Sequence, residues 1–196
     1  VKERPILFSA PMVRALLSGQ KTQTRRAIKE VVKIAFFNFL TPCPYGAPGD
    51  RLWVREAWRL PLSLDKENAK TIREKSLAAG YETPWAPVQY EADLARVNWD
   101  LSTSVGRYRH ARFMPRWASR IVLEIDTIRV QKLQDITEND AMAEGTQEPS
   151  VAALIGGGDV TERRVFSRLW AKINGVESWE ANPWVYAITF HRVEAP

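Results

Sequence analysis

The sequence has a single cysteine, Cys43, and two histidines far apart, His110 and His191, in 196 residues. One thiol excludes an internal disulfide framework and a cysteine-based zinc site, and two distant imidazoles argue against a histidine-rich metal centre. No metal and no cofactor is expected. Long apolar runs are also missing: the longest, such as Ile34-Ala-Phe-Phe37, fall far short of the ~20 residues of a membrane-spanning helix. The amino end has no signal-like apolar stretch, so a cytoplasmic protein without membrane association is expected. Glycine is sparse and not arranged for phosphate binding, since Gly156, Gly157 and Gly158 lack both the spacing and the strand-to-helix setting of a phosphate loop. No repeat or low-complexity tract occurs.

What is present suits one modest globular domain: 45% hydrophobic residues are enough to bury a core at this length. The net charge of +5 says less than its distribution. Residues 1–33 carry eight lysines and arginines against Glu3 and Glu30, and Arg107, Arg109, Arg112, Arg116 and Arg120 follow one another with no acid between them. Residues 133–150 hold Asp135, Glu138, Asp140, Glu144 and Glu148 with no base. A basic patch of this kind favours phosphate contact, and the acidic run belongs where it meets that patch.

The pattern predicts α+β structure rich in strands. Pro5–Phe8, Arg51–Trp58, Arg120–Val130 and Trp184–Val193 have strand character, the third by alternation of Ile121, Leu123 and Ile125 with polar partners. A short helix over residues 10–18 has Ser9 as its cap and Gly19 as its stop. A second runs from the Thr137 cap to Ala143 with Gly145 as its stop, and a third covers Thr161–Ile173 with Phe166, Leu169, Trp170 and Ile173 on its apolar face. A polar helical stretch is expected at Leu64–Ala79 within an excursion over residues 60–100, and a loop at residues 154–159. Trp53 and Trp58, five residues apart on one strand, fall on opposite faces, so at most one is expected in the core.

The densest chemistry is Gly19-Gln-Lys21-Thr-Gln-Thr24-Arg-Arg26, where the chain leaves the first helix and enters an extended run. Alternation puts Thr22, Thr24 and Arg26 on one side, and a bend is needed to bring the Lys21 amine to them. The G-x-K-x-x-T-x-R pattern after a short amphipathic helix resembles the ASCH domains, small relatives of the RNA-binding PUA domains. The whole chain is similar to a branch common in bacterial prophages, marked by Pro5–Ser9, Pro48–Glu56, Met114–Arg120 and Asn182–Trp184. The resemblance implies a single PUA-like β-barrel domain over residues 1–196 with peripheral helices. It covers residues 4–56 and 112–194, leaving residues 57–111 as an insertion, with 28–43 a possible second one.

ASCH proteins include RNA binders, a ribonuclease, and amidohydrolases that deacetylate N4-acetylcytidine. The amidohydrolases use a lysine, a threonine and a glutamate. Lys21 and Thr24 match the first two directly, and Glu144, in the downstream helix, is the candidate third; Glu56 is its rival. The resemblance therefore implies a modified nucleoside or RNA as partner. Around this catalytic set, Arg26, Glu56, Trp53, Arg116, Trp117 and Arg120 are the candidate substrate-binding residues, with Trp117, between two arginines, open to both stacking on a base and structural packing. Two chemistries remain open at this stage. Either Thr24 attacks with Lys21 as base, or water attacks with Glu144 as base.

Overall fold

The computed structural model describes residues 1–28, 43–78, 80, 88–93, 105–155 and 161–194. The fold is α+β. Strands β1 (Glu3–Leu7), β2 (Gln23–Ala27), β3 (Arg51–Arg55), β6 (Val122–Lys132) and β7 (Trp184–Val193) form one sheet in the order β1-β3-β6-β7-β2. β1 runs parallel to β3, and every other pair is antiparallel. Among the described residues no backbone ladder joins the edge strands β1 and β2, so the expected barrel is not closed. A side chain spans the gap instead: Arg26 Nη2 of β2 donates to the Leu7 carbonyl of β1 at 2.7 Å.

Helix α1 (Ala10–Leu17) lies between β1 and β2, and its Met12, Val13, Ala15 and Leu16 are buried. Ser9 takes the N-cap position without a side-chain capping bond. The apolar face of α1 packs with Ile6, Leu52, Val54, Leu123, Ile125, Ile188 and Phe190 of the sheet, which is the main core. Helix α3 (Glu138–Ala143) starts where the Thr137 side chain accepts from the Asp140 N–H, and α5 (Glu162–Asn174) starts in the same way at Thr161. Between them lies α4 (Pro149–Ile155), so residues 154 and 155 end a helix rather than belonging to the expected loop; the rest of that loop lies outside the described residues. Phe166 and Trp170 of α5 join Leu133, Ile136, Ala141 and Val185 in a smaller cluster, while Ile173, expected on the apolar face, is 61% exposed.

The segment between β3 and β6 has its own core. Strands β4 (Trp58–Arg59) and β5 (Gln89–Tyr90) pair, and helix α2 (Ala69–Ala78) adds Ile72 to a cluster with Trp58, Leu60, Tyr90, Met114 and Ala118. This corrects the expectation for the two tryptophans. β3 ends at Arg55 and the chain enters a different sheet at Trp58, so one alternation does not link them, and both are buried.

One backbone position holds the later site together. Gly145, following α3, has φ +84°, and a Cβ there would lie 2.8 Å from Cβ of Ala15 and 3.1 Å from Cβ of Lys21. Gly145→Ala therefore meets both left-handed strain and a clash between α1 and the α3 terminus. The expected loss is about 1–3 kcal/mol, read as a lower denaturation midpoint.

Candidate functional site

Lys21 lies just ahead of β2 and forms an isolated antiparallel bridge with Glu144 at the end of α3. Backbone bonds set the approach: Lys21 N–H donates to Ala15 O at 3.0 Å, and Thr22 N–H to Ala143 O at 2.8 Å. The Lys21 ammonium then donates to Gln23 O, Glu144 O and Glu144 Oε2, each at 2.8 Å. An ammonium has three N–H groups, and all three are engaged. Its place in a polar run suggests a solvated side chain, but Lys21 is only 3% exposed.

The other carboxylate oxygen, Glu144 Oε1, accepts from Arg25 Nη1 at 3.1 Å. Arg25 continues to Asp140 Oδ2 at 2.9 Å, and Asp140 Oδ1 accepts from Arg129 Nη2 at 3.0 Å. Charges alternate along this chain, Lys21, Glu144, Arg25, Asp140, Arg129. A carboxylate at a helix C-terminus faces the negative end of the macrodipole, and here two cations offset it. Burial pushes the Lys21 amine below its usual value; Glu144 opposes that shift, and Arg26 and Arg25 add to it. Partial burial would raise Asp140, but Arg25 and Arg129 outweigh it and hold the carboxyl below its usual range.

These residues open onto a cleft of about 540 Å³, a size suited to a small organic ligand. Its polar lining includes Lys21, Thr24, Arg25, Arg26 and Glu144, with Ser9 and Asn174, and Phe8, Met12, Phe166, Leu169 and Trp170 contribute apolar wall. The Arg26 guanidinium lies over the Phe8 ring, 5.3 Å from its centroid. Thr24, 4% exposed, has a hydroxyl with no hydrogen-bond partner among the described residues. Three buried N–H groups of the lining residues are also unpartnered: Arg25 Nε, Arg26 Nε and Trp170 Nε1. Unmatched buried donors are costly unless a ligand supplies acceptors, so the cleft suits a ligand rich in carbonyl or ring-nitrogen acceptors.

The sequence-predicted residues divide into two groups. Lys21, Thr24, Arg26 and Glu144 come together. Glu56, Trp53, Arg116, Trp117 and Arg120, expected to bind substrate, do not line this cleft. Glu56 is buried in a bidentate pair with Arg120, at 2.9 and 3.2 Å; burial pushes its carboxyl up, and Arg120 works against that. Arg120 also pairs with Asp93 and stacks 3.9 Å from the Tyr90 ring centroid. Arg116 is tied to Glu3 at 2.9 Å, Trp117 meets Trp58 edge-on at 6.2 Å, and Trp53 is buried under the Arg55 guanidinium. The rim comes instead from His110, Ala111 and Arg112. Sequence reasoning also missed Arg25, Asp140 and Trp170. The facing of the acidic run 133–150 with the basic run 1–33 was the signal for the first two.

The chain matches no protein-family model and no curated protein. A solved structure, that of protein EF3133 from Enterococcus faecalis V583, of family DUF984, is similar with a TM-score of 0.43 and 8% identity, over 99% of this chain and 82% of that one. So remote a likeness bears on neither activity nor ligand. Among the described residues no group of three or more histidine, cysteine, aspartate or glutamate side chains is placed to hold a metal, and no helix is long and apolar enough to cross a membrane.

Removing one member of the buried charge chain strands the others. Glu144→Gln leaves Lys21 and Arg25 without their shared counter-ion, and a loss of about 3–5 kcal/mol in denaturant unfolding is expected. Asp140 has a signed pH dependence. Its folded pKa lies below the ordinary 3.8, so the unfolded state binds the proton first on acidification. The stability difference between wild type and Asp140→Asn is therefore present at neutral pH, shrinks as pH falls below about 3.8, and vanishes below the folded value. A pH series of unfolding midpoints for the two proteins reads this directly.

Proposed function

We propose that this cleft hydrolyses the exocyclic amide of an N4-acylated cytidine, and that the chain is a cytoplasmic ASCH-type domain of PUA-like build. The observation that carries the chemistry is the pairing of an unpartnered Thr24 hydroxyl with a buried Lys21 amine of lowered proton affinity in one cleft. The motif resemblance at Gly19, Lys21, Thr24 and Arg26 supports the substrate class. The Arg26 hydrogen bond to the Leu7 carbonyl, which links the two edge strands of the sheet, supports the barrel reading.

In the reaction the neutral Lys21 amine takes the Thr24 proton as Thr24 Oγ1 bonds to the acyl carbon. The carbon–nitrogen bond then breaks, and the cytosine amino group leaves with the proton returned from Lys21. Water, deprotonated by the same amine, cleaves the acyl-threonine ester, so one amide and one water give one carboxylic acid and one amine. Arg25 and Arg26 line the cleft and have unpartnered Nε–H groups, and in this scheme they would serve the acyl or pyrimidine carbonyl. Glu144 has both oxygens engaged by cations. Its part is to position the amine.

One observation favours a second reading, binding of a nucleoside or RNA without turnover. All three Lys21 N–H groups are engaged, so the ammonium as it stands offers substrate neither a donor nor a lone pair. No separate observation favours a ribonuclease.

Thr24→Val tests the proposal with little risk to folding, because the two side chains are nearly isosteric and the hydroxyl has no partner to lose. Release of cytidine from N4-acetylcytidine is expected to fall at least a hundredfold (on the order of the ~10²–10⁴ attributed to a positioned catalytic group) with an unchanged melting temperature, while Thr24→Ser retains activity. Wild-type turnover is expected to rise with pH as Lys21 loses its proton. Equal turnover by Thr24→Val and wild type would remove the nucleophile from the scheme.

A further inference from the structure

The run Arg107-Tyr-Arg-His-Ala-Arg-Phe113, at the end of the insertion, interleaves three cations with three rings and contains no acid. Its side chains are largely at the surface: Arg107, His110 and Arg112 are exposed, Tyr108 is 44% exposed and Phe113 66%. The backbone beneath is held firmly. Trp58 and Arg109 exchange both backbone bonds, at 3.1 and 2.9 Å, Arg55 Nη1 donates to Arg112 O at 3.2 Å, and Arg109 Nη1 pairs with Asp65 Oδ1 at 2.9 Å. Arg107 lies near Asp65, whose Oδ2 accepts from the Arg107 backbone N–H at 2.8 Å and whose other oxygen is taken by Arg109, while the exposed guanidinium groups of Arg107 and Arg112 are in no salt bridge among the described residues. Arg112 lies 5.2 Å from the Phe113 ring centroid.

This strip connects two cavities. His110, Ala111 and Arg112 line the Lys21 cleft, while Arg107, Tyr108, Arg109, His110 and Phe113 line a second cavity of about 330 Å³. His110 belongs to both. In the second cavity two lining residues hold buried, unpartnered donors, Trp58 Nε1 and Arg109 Nη2. Its one carboxylate, Glu67, is paired with Lys75. The surface leaving the Lys21 cleft along this path is therefore cationic and aromatic by turns.

A single strand of nucleic acid presents the complementary pattern, a phosphate followed by a flat base at each step, with its bases free to stack. We propose that Arg107–Phe113 binds the nucleotides flanking a target base held in the Lys21 cleft, so that the substrate is a single strand rather than a free nucleoside. Arg107 and Arg112 meet phosphates, and Phe113 and Tyr108 offer stacking faces. The inference rests on the reading that the cleft takes a nucleoside, but strand binding is measured without turnover, so the two fail separately.

The test is fluorescence anisotropy of the full chain with an end-labelled single-stranded oligocytidine RNA over a salt series. Wild type is expected to bind with an affinity that falls steeply with salt. Arg107→Ala should flatten the slope of log affinity against log salt by about 0.7, and Arg107→Ala with Arg112→Ala by about 1.4, one single-strand phosphate contact each. Phe113→Ala should weaken binding roughly five- to 150-fold with an unchanged slope, as for a lost stacking face. All three side chains are exposed, and melting temperatures check that the variants fold. The proposal is overturned if wild type does not bind the strand, if it prefers a duplex of the same length or anionic vesicles, or if these variants match wild type in both affinity and slope. Strip-dependent strand binding without deacylation would uphold it and sink the hydrolase reading; deacylation with strip-independent strand binding would do the reverse.

Discussion

The rest of the site depends on the three hydrogen bonds of the Lys21 ammonium. One group neutralises the Glu144 carboxylate, accepts the role of capping the Glu144 carbonyl at the end of α3, and braces Gln23 O at the start of β2. Charge and backbone are satisfied together, which is how a lysine tolerates burial. The approach is possible only because Gly145 has no Cβ to press on Ala15 and Lys21. From this joint the alternating charges run outward through Arg25 and Asp140 to Arg129. The arrangement fixes β2 against α3 and leaves Thr24 facing the cleft with its hydroxyl uncommitted.

The same joint shapes the chemistry available. Both oxygens of the Glu144 carboxylate are held by cations, Oε2 by Lys21 and Oε1 by Arg25. Burial lowers the proton affinity of the amine beside it, which is the condition for a lysine base. The remaining lining is unusual in its surplus of donors. Arg25, Arg26 and Trp170 each have a buried N–H without an acceptor, and they come from β2 and α5, elements far apart in the chain. Such a surplus matches a ligand rich in hydrogen-bond acceptors.

How much of this was legible in the sequence depends on how local each cause is. The caps at Thr137 and Thr161, the stops at Gly19 and Gly145, and the last strand Trp184–Val193 are local, and they stand where the pattern puts them. The meeting of Lys21 with Glu144 spans 123 residues, and only the motif resemblance and the opposed basic and acidic runs pointed to it. The arginine-rich segment shows what locality cannot supply. Five arginines from Arg107 to Arg120 look equivalent in sequence, yet Arg109, Arg116 and Arg120 are neutralised by Asp65, Glu3, Glu56 and Asp93, all distant in the chain. Arg107 and Arg112 form no salt bridge among the described residues, though Asp65 lies near Arg107. Which cations enter ion pairs is decided by tertiary contacts between distant parts of the chain, which the arginine run by itself does not show.

Arg120 shows how a residue expected at the ligand can matter to the site without touching it. Its guanidinium joins Glu56, just past β3, to Asp93, just past β5, and stacks on Tyr90, whose hydroxyl donates to Ala118 O at 2.9 Å. Those contacts tie the segment between β3 and β6, with its separate apolar cluster around Trp58, to the main sheet. The rim residues His110, Ala111 and Arg112 belong to the far end of that segment, and Arg109 fixes them through its backbone bonds to Trp58. The segment between β3 and β6 is thus held by the Arg120 ion pairs at one end and by a backbone bridge at the other. Its His110–Arg112 edge lines the Lys21 cleft, so the contacts that anchor this segment also fix one wall of the site.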